Sequence, residues 1–584
     1  MLPRTAGAGV IVLLSDIPDD RNYDVVVAGA GAGGMAAALY AAIAGKKVLL
    51  AEHTEFLGGT TALSAGTIWA PNTRHAAGSG DSAEKAALFL DNVVGNYARP
   101  ALRRAFLDAA PEAIRTLEDS TDVQFRAYPL HPDYVQEVDG ATLRGRALEA
   151  LPFDGRKLGK AFALLRPPIP EFTVLGGMMV SRGDIDHLLK MTKSATSFVH
   201  AVKLLARHAS DRLRHPRGTR LVMGNALVGR FVRSLLDRDV DIVMNTSVTE
   251  LHRNNGAVDG VTLRCGDVVR HIGAAKAVVL AGGGFIRHPT RRAALLAKPV
   301  PEFSPVAPGS TGELQDLALA LGARFCEGNL DNAFWAPVSL RKRADGTMAI
   351  FPHFVLDRSK PGTVCVNKNG KRFVNESTSY HLFARAMYDA NKRSPNIPAY
   401  FIADAVALKR YGLGMVRPGG RGLKPYLAEG YLTQGATLRD LAQKLGIDAG
   451  NLERTVAAMN GYAKTGIDAE FARGSTPYHH AAGDPKVRPN PNLGPIATPP
   501  FYAIRLVPAD IGAANGLVTN DDAQVLGFND VPISGLYACG ADMQSIMGGT
   551  YPGPGVTLGP AITFAYRAMR HALGAKDEAG SPRR

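Results

Sequence analysis

Cysteine is nearly absent: the 584 residues hold four, Cys265, Cys326, Cys365 and Cys539, with no CxxC pair among them. That excludes a disulfide scaffold, a paired-cysteine zinc site and a dithiol redox motif, and it suits a reducing compartment. Long hydrophobic runs are also missing, and none approaches the ~20 residues that cross a bilayer. The opening stretch has one basic residue, Arg4, and a short apolar patch from Val10 to Leu14. This is shorter than the ~7–15-residue core of a secretory signal, so an extension on a cytoplasmic protein is expected. Acidic residues are outnumbered, 53 Asp and Glu against 67 Lys and Arg, for a formal net charge of +14. Such a surplus points to nucleic acid, a membrane surface or an acidic ligand. The remaining composition, 46% hydrophobic and 21% charged, excludes bulk disorder. At ~150 residues per domain the length suggests two to four domains.

Near the start, apolar strand-like runs alternate with Ala-rich helical stretches. Asp24 to Ala28 reads as a buried strand, Met35 to Ala44 as a helix ended by Gly45, and Lys47 to Glu52 as the next strand. Together they make one strand–helix–strand unit. Ala277 to Ala281 and Gly535 to Gly540 repeat the buried-strand character much later, while the Pro- and Gly-punctuated stretch between about 292 and 508 differs in texture. An α/β fold follows, with a Rossmann-like domain split by an inserted α+β domain.

Gly29-Ala-Gly-Ala-Gly-Gly34 fits G-x-G-x-x-G through Gly29, Gly31 and Gly34, with Gly33 beside them. Those glycines permit a tight turn, close approach to a pyrophosphate, and helix-on-strand packing at the positive end of a helix. Glu52 ends the second strand, where a carboxylate accepts hydrogen bonds from a ribose and disfavours a 2′-phosphate. The second glycine- and hydroxyl-rich loop, Gly58 to Gly66, supplies Gly59, Thr60, Thr61, Ser64 and Gly66. An extended FAD needs such a loop and an NAD site rarely does. Asp542, just past Gly540, suits the ribityl arm, and a helix beginning near Thr557 and Leu558 would face the flavin N1/O2 edge. Val248 and Gly283 complete the expected cofactor set. The expected organisation is an extension (1–20), an FAD domain in two parts (21–298 and 511–575), an inserted catalytic domain (299–510) and a disordered tail (576–584).

With Gly58 to Gly66 in view, together with Ile68-Trp-Ala-Pro71, His131-Pro-Asp-Tyr134, Lys371 to Glu376 with Tyr380, and Met547 to Gly555, the sequence resembles the flavoprotein superfamily of fumarate reductase and succinate dehydrogenase. More closely it resembles the 3-ketosteroid 1-dehydrogenases, over nearly the whole chain; Tyr551-Pro-Gly-Pro-Gly555 is the most specific segment. The resemblance implies removal of hydrogen from C1 and C2 of a 3-oxosteroid, with a hydride passing from C1 to flavin N5 and electrons going on to a quinone-like acceptor. It implies Tyr380 as the base for the C2 proton, Tyr134 as its support, and Tyr551 with the Gly555 N–H as donors to the C3 carbonyl oxygen. The Gly58–Gly66 loop has no counterpart of the histidine that binds flavin covalently in the succinate dehydrogenase branch, so non-covalent FAD is expected. Ala65 stands where a glycine is common in the family.

The chemistry suits these groups. Breaking a C–H bond next to a carbonyl builds charge on its oxygen, and two aimed donors stabilise it by a few kcal/mol each, about 3–4 by mutational precedent. Pro552 and Pro554 stiffen the loop that carries them. A free tyrosine has a pKa of about 10, so a base at Tyr380 is expected to need the Tyr134 hydroxyl and nearby positive charge, and to give an alkaline optimum. No metal is required. Arg372, Asn375 and Glu376 read as structural ties on the loop leading to Tyr380.

From Lys190 to Arg220 the sequence sets Lys190, Lys193, Lys203, Arg207, Arg212, Arg214, Arg217 and Arg220 against Asp211, with Phe198, Val199, Val202, Leu204, Leu205 and Leu213 interleaved. The first reading is a solvated helix whose apolar stripe packs on the protein. The second is peripheral contact of 190–220 with the inner face of a membrane, fitting an insoluble substrate. Nucleic-acid binding is not expected, since no recognition module accompanies the charge. Two alternatives to the dehydrogenase remain open: a fumarate-reductase-like enzyme acting on an unsaturated acid or related enone, and a non-catalytic flavin-containing membrane-associated binder.

Overall fold

Valine-rich runs build the centre of the molecule. Val25 to Ala28 and Val48 to Ala51 are buried throughout, as strands covered on both faces of a parallel sheet must be. The computed structural model describes residues 11–574; the expected tail 576–584 lies outside the described residues. An eight-stranded sheet runs Asp241–Val243, Val48–Ala51, Arg21–Ala28, Val268–Leu280, Ala257–Cys265, Ser247–Asn254, and Pro532–Ala538 joins it beside Val268–Leu280, carrying Gln524–Leu526 on its other edge. Pairing is parallel from Asp241–Val243 through to Pro532–Ala538. Residues from both ends of the chain therefore share one sheet.

The first helix opens at Ala32, earlier than expected, and runs to Ile43. Its first turn can begin inside the glycine motif because a Cβ at Gly34 would stand 1.9 Å from the Gly29 carbonyl oxygen. The helix is buried over nearly its whole length and meets Leu558–Ala572 through an edge-on Tyr40–Tyr566 contact. The amino-terminal extension is not loose over its described part. Ile11 bridges to Ile242, and Leu14 and Ile17 are buried.

A second sheet, six-stranded and antiparallel, draws all its strands from between Ala333 and Ala513. Phe334, Ala336, Tyr380 and Tyr478 reach from this region into the core built on the first sheet. A small antiparallel sheet, Thr67–Trp69 with Ala147–Ala150 and Phe125–Ala127, stands beside that junction.

The basic segment 190–220 forms the helix Ala195–Arg212, paired with the helix Arg182–Leu189 that precedes it. The first reading of its apolar stripe holds for Leu204 and Leu205, which pack with Met178 and Val180, and fails for the rest. The buried stripe is Ser197, Ala201, Leu204, His208 and Asp211, while Phe198, Val199, Val202 and Leu213 are exposed. Polar groups can face inward because each has a partner: Ser197 bonds His187, His208 bonds the Leu175 carbonyl, and Asp211 accepts from the Thr219 N–H. Part of the charge is internal as well. Arg207 pairs with Asp154 and Arg220 with Asp184, each at 2.9 Å, and Arg217 bonds Asn225 with its pKa pushed down to about 10 by burial.

Candidate active site

A cavity of about 1020 Å³ is bordered by residues of both large sheets. Gly29, Gly31, Gly33, Glu52, Gly59, Thr60, Thr61, Ser64, Gly66, Val248, Gly283, Gly540, Asp542, Thr557 and Leu558 all line it. Gly34 does not; it serves the turn instead. A Cβ at Gly31 would meet nothing within 4 Å, so the backbone there lies open to a ligand. Glu52 accepts from the Ala30 N–H and from Thr54, which fixes its carboxylate at the strand end. Thr61 Oγ1 accepts from the Ala32 N–H at 3.1 Å and Thr60 Oγ1 from the Ala307 N–H at 3.1 Å, so these hydroxyls also knit the loop to its neighbours. Asp542 is buried, its pKa pushed up to about 6, and it takes both the Gly282 and Gly284 N–H groups. It shapes the Gly282–Gly284 turn as well as facing the cavity.

Tyr134, Tyr380, Tyr551 and Gly555 border the same cavity. The Tyr134 hydroxyl donates to the Tyr380 hydroxyl at 3.4 Å. The Tyr551 ring lies 5.2 Å from that of Tyr380 and stacks at 6.0 Å on Tyr134. Tyr380 is the first residue of the helix Tyr380–Asn391, capped by Ser379, whose Oγ accepts from the Leu382 N–H. The chain before it is pinned by buried ion pairs: Arg372 binds Glu376 at 2.7 Å and Asp468 at 2.8 Å, and Asn375 bonds the Phe471 carbonyl. Gly555 has φ of +88°, and a Cβ there would stand 2.5 Å from the Thr67 carbonyl oxygen.

The electrostatics differ from expectation at Tyr380. Burial pushes its pKa well above 10, and the Tyr134 and Tyr551 hydroxyls push it the same way. The nearby positive charge expected from the sequence is not among the largest influences on it. Burial raises Tyr551 too, against hydrogen bonds from Tyr380 and Thr557.

Two lining residues escaped sequence reasoning. Tyr478 packs its ring 5.0 Å from Tyr134. Arg166 lies over the Phe56 ring and donates to Thr54 Oγ1 at 2.9 Å, while its Nε is buried without a partner. A buried guanidinium N–H facing a cavity beside Glu52 fits a ligand bearing ribose or phosphate oxygens. Together with the open backbone at Gly31, this makes the nucleotide part of the cavity suited to FAD. Neither residue lies in a recognisable motif; only their positions in the fold reveal them.

The FAD binding domain family model matches residues 24–558. The chain is 37% identical over 551 residues to 4-oxocyclohex-2-ene-1-carboxylate 5-dehydrogenase of Sinomonas cyclohexanicum, covering 94% of this chain and 93% of that protein. It is 34% identical over 575 residues to 3-oxosteroid 1-dehydrogenase of Mycobacterium tuberculosis, covering 96% and 99%. The crystal structure of 3-ketosteroid delta1-dehydrogenase from Sterolibacterium denitrificans, in complex with 1,4-androstadiene-3,17-dione, superposes with a TM-score of 0.88 at 34% identity, covering 95% of this chain and all of that one. A flavocytochrome c3 fumarate reductase shares the fold at 21% identity and a TM-score of 0.61. The chain belongs to the FAD binding domain family, in the branch that holds the 3-oxosteroid 1-dehydrogenases, and is an FAD-dependent oxidoreductase.

Proposed function

We propose that the protein dehydrogenates a 3-ketosteroid between C1 and C2. The observation that carries this reading is the convergence of Tyr134, Tyr380, Tyr551 and Gly555 on one cavity whose further wall is apolar, with Phe172, Met179, Val180, Ile185 and Phe354 among its residues. FAD, when bound, supplies the acceptor for the C1 hydride at N5. The Tyr551 hydroxyl and the Gly555 N–H hold the carbonyl oxygen and acidify C2. Tyr380 takes the C2 proton at its hydroxyl oxygen, where Tyr134 donates. Tyrosine must lose its own proton first, which the buried site opposes; the reaction therefore speeds up as pH rises. Electrons leave to a quinone-like acceptor. We assign the cofactor to residues 21–298 and 511–575, and the ketone to the junction where the insert 299–510 brings Tyr380 against Tyr134, Tyr551 and Gly555 of the flanking parts.

The Sinomonas relatives are named for carboxylated cyclohexanones. Such a carboxylate calls for an available cation. Two arginines line the cavity among the described residues: Arg126, paired with Glu149 at 2.8 Å, and Arg166, whose unpartnered Nε sits beside Glu52 in the part of the cavity assigned to the nucleotide. The apolar wall favours a larger uncharged ketone, and the same arginine argument disfavours fumarate-type chemistry. The test is anaerobic bleaching of the flavin. A 3-oxo-4-ene steroid is expected to bleach it and 4-oxocyclohexanecarboxylate to do so far more slowly; the reverse order overturns the steroid assignment.

One observation supports contact with a membrane. Ile185 lines the cavity and is exposed, and Leu189, Phe198, Val199 and Val202 are exposed on the same helical pair, beside the exposed Lys190, Lys193 and Lys203. Apolar side chains ringed by lysines suit an anionic bilayer surface.

A further inference from the structure

Two motif residues are left without a role by the reaction: Trp69 in Ile68–Pro71 and Asp133 in His131–Tyr134. Both are buried, and neither lines the cavity. They meet beneath it. Trp69 Nε1 donates to Asp133 Oδ1 at 2.8 Å, while Arg146 Nη1 and the Thr142 N–H donate to Oδ2 at 2.8 and 3.0 Å. Arg146 is itself buried and binds Asp81 at 2.6 Å.

This cluster is where the two halves of the ketone site touch. Tyr134 follows Asp133 directly, and its N–H donates to the Pro552 carbonyl at 2.7 Å. The Trp69 N–H donates to the Gly555 carbonyl at 3.1 Å. At Gly553 a Cβ would stand 2.8 Å from Trp69 Nε1 and 3.1 Å from Asp133 Oδ1, so the loop between the two carbonyl donors rests on the Trp69–Asp133 hydrogen bond.

We propose that Asp133 is a positioning residue for the dehydrogenation, clamping Trp69 and Arg146 so that Tyr134 and the Tyr551–Gly555 donors keep one spacing around Tyr380. The assignment rests on the dehydrogenase reading. Packing alone is a poor reason for this residue. Burial pushes the Asp133 carboxyl up to about 6 against the pull of Arg146, and Asp81 repels it. Buried charges of this kind are often replaced by apolar groups without loss of stability, so the geometry they hold is the better account of their use. A displacement of about 1 Å in such a frame is enough to cost up to a hundredfold in rate.

Asp133→Asn keeps the shape and removes the charge; Trp69→Phe keeps the ring and removes the donor, and serves if the first variant does not fold. Each is expected to lower kcat roughly tenfold or more, with KM for the ketone and flavin content close to wild type; Tm falls in Asp133→Asn, where the amide turns a donor toward another N–H, and less in Trp69→Phe. Adding Tyr134→Phe to Asp133→Asn should cost little beyond Tyr134→Phe alone, because Asp133 acts partly through that tyrosine. Amide hydrogen exchange across residues 551–559 should quicken in Asp133→Asn whether or not a ketone is turned over. Unchanged kcat, fully multiplicative losses, or unchanged exchange at 551–559 each overturn the clamp. A wild-type enzyme that bleaches with no ketone overturns the dehydrogenase reading instead, and the exchange measurement then decides the clamp alone.

Discussion

Tyr380 sets the demand on the rest of the site. A phenol held well above its usual pKa by burial is a scarce base at neutral pH, so every unit of pH should raise the population able to take the C2 proton. For the reductive half-reaction, log kcat/KM is expected to climb with pH through 9, with no plateau near neutrality. A plateau there would mean that another group is the base. Tyr380→Phe should abolish solvent-proton exchange at substrate C2 while the protein stays yellow. On the carbonyl side, Tyr551→Phe removes one of two aimed donors, a loss of about 10²–10³ in turnover by the precedent of single oxyanion-hole donors. Near-normal turnover with flavin retained would refute that role. The tyrosines were legible in the sequence because short motifs carry them. The electrostatics around Tyr380 were not, since its burial and its packing against Tyr134 and Tyr551 depend on helix and loop packing far apart in the chain.

At the scale of elements, the glycine turn and the basic helical pair contrast. The turn was readable because its constraint is local: Gly34 must lack a Cβ to pass the Gly29 carbonyl, whatever the rest of the chain does. Helical periodicity in Ala195–Arg212 announces a stripe but not its direction, and the small and polar stripe is the one that faces the protein. What decides it is the set of inward partners, Asp154, His187, Leu175 and Thr219, all supplied by neighbouring segments. The outward face now holds Phe198, Val199 and Val202 with Lys193 and Lys203. Surface lysines near an anionic leaflet are worth about 1 kcal/mol each. Lys190→Glu, Lys193→Glu and Lys203→Glu together should therefore lower co-sedimentation with phosphatidylserine vesicles, with turnover of a detergent-solubilised steroid unchanged. Equal co-sedimentation would remove the membrane reading and leave the exposed apolar residues unexplained.

For the whole molecule, the cavity is both the site and a gap in the core. Ala28, Ala51 and Val248 of the first sheet, residues 540–546 and 554–558, the loop Gly58–Gly66 and the insert all border it, so a ligand that fills it joins parts of the chain far apart in sequence. A cofactor bound only to the folded state stabilises it by about 4 kcal/mol at a thousandfold excess over Kd. Removing FAD should accordingly lower Tm by several degrees, and adding it back should restore the loss. Arg166 sharpens the test because its effects on the two forms have opposite sign. Without a ligand, its buried Nε has no acceptor, and burial pulls its pKa below the ordinary arginine value. An unsatisfied buried donor costs about 1–3 kcal/mol, so Arg166→Met should leave the apoprotein as stable as wild type or more so. Arg166 would hold a cofactor oxygen by a charge-assisted hydrogen bond, so with FAD bound the same change should weaken flavin retention about tenfold or more. The gap in Tm between flavin-loaded and flavin-free protein is thus expected to narrow in the variant. A gap as wide as in the wild type would show that Arg166 faces the cavity without touching the cofactor.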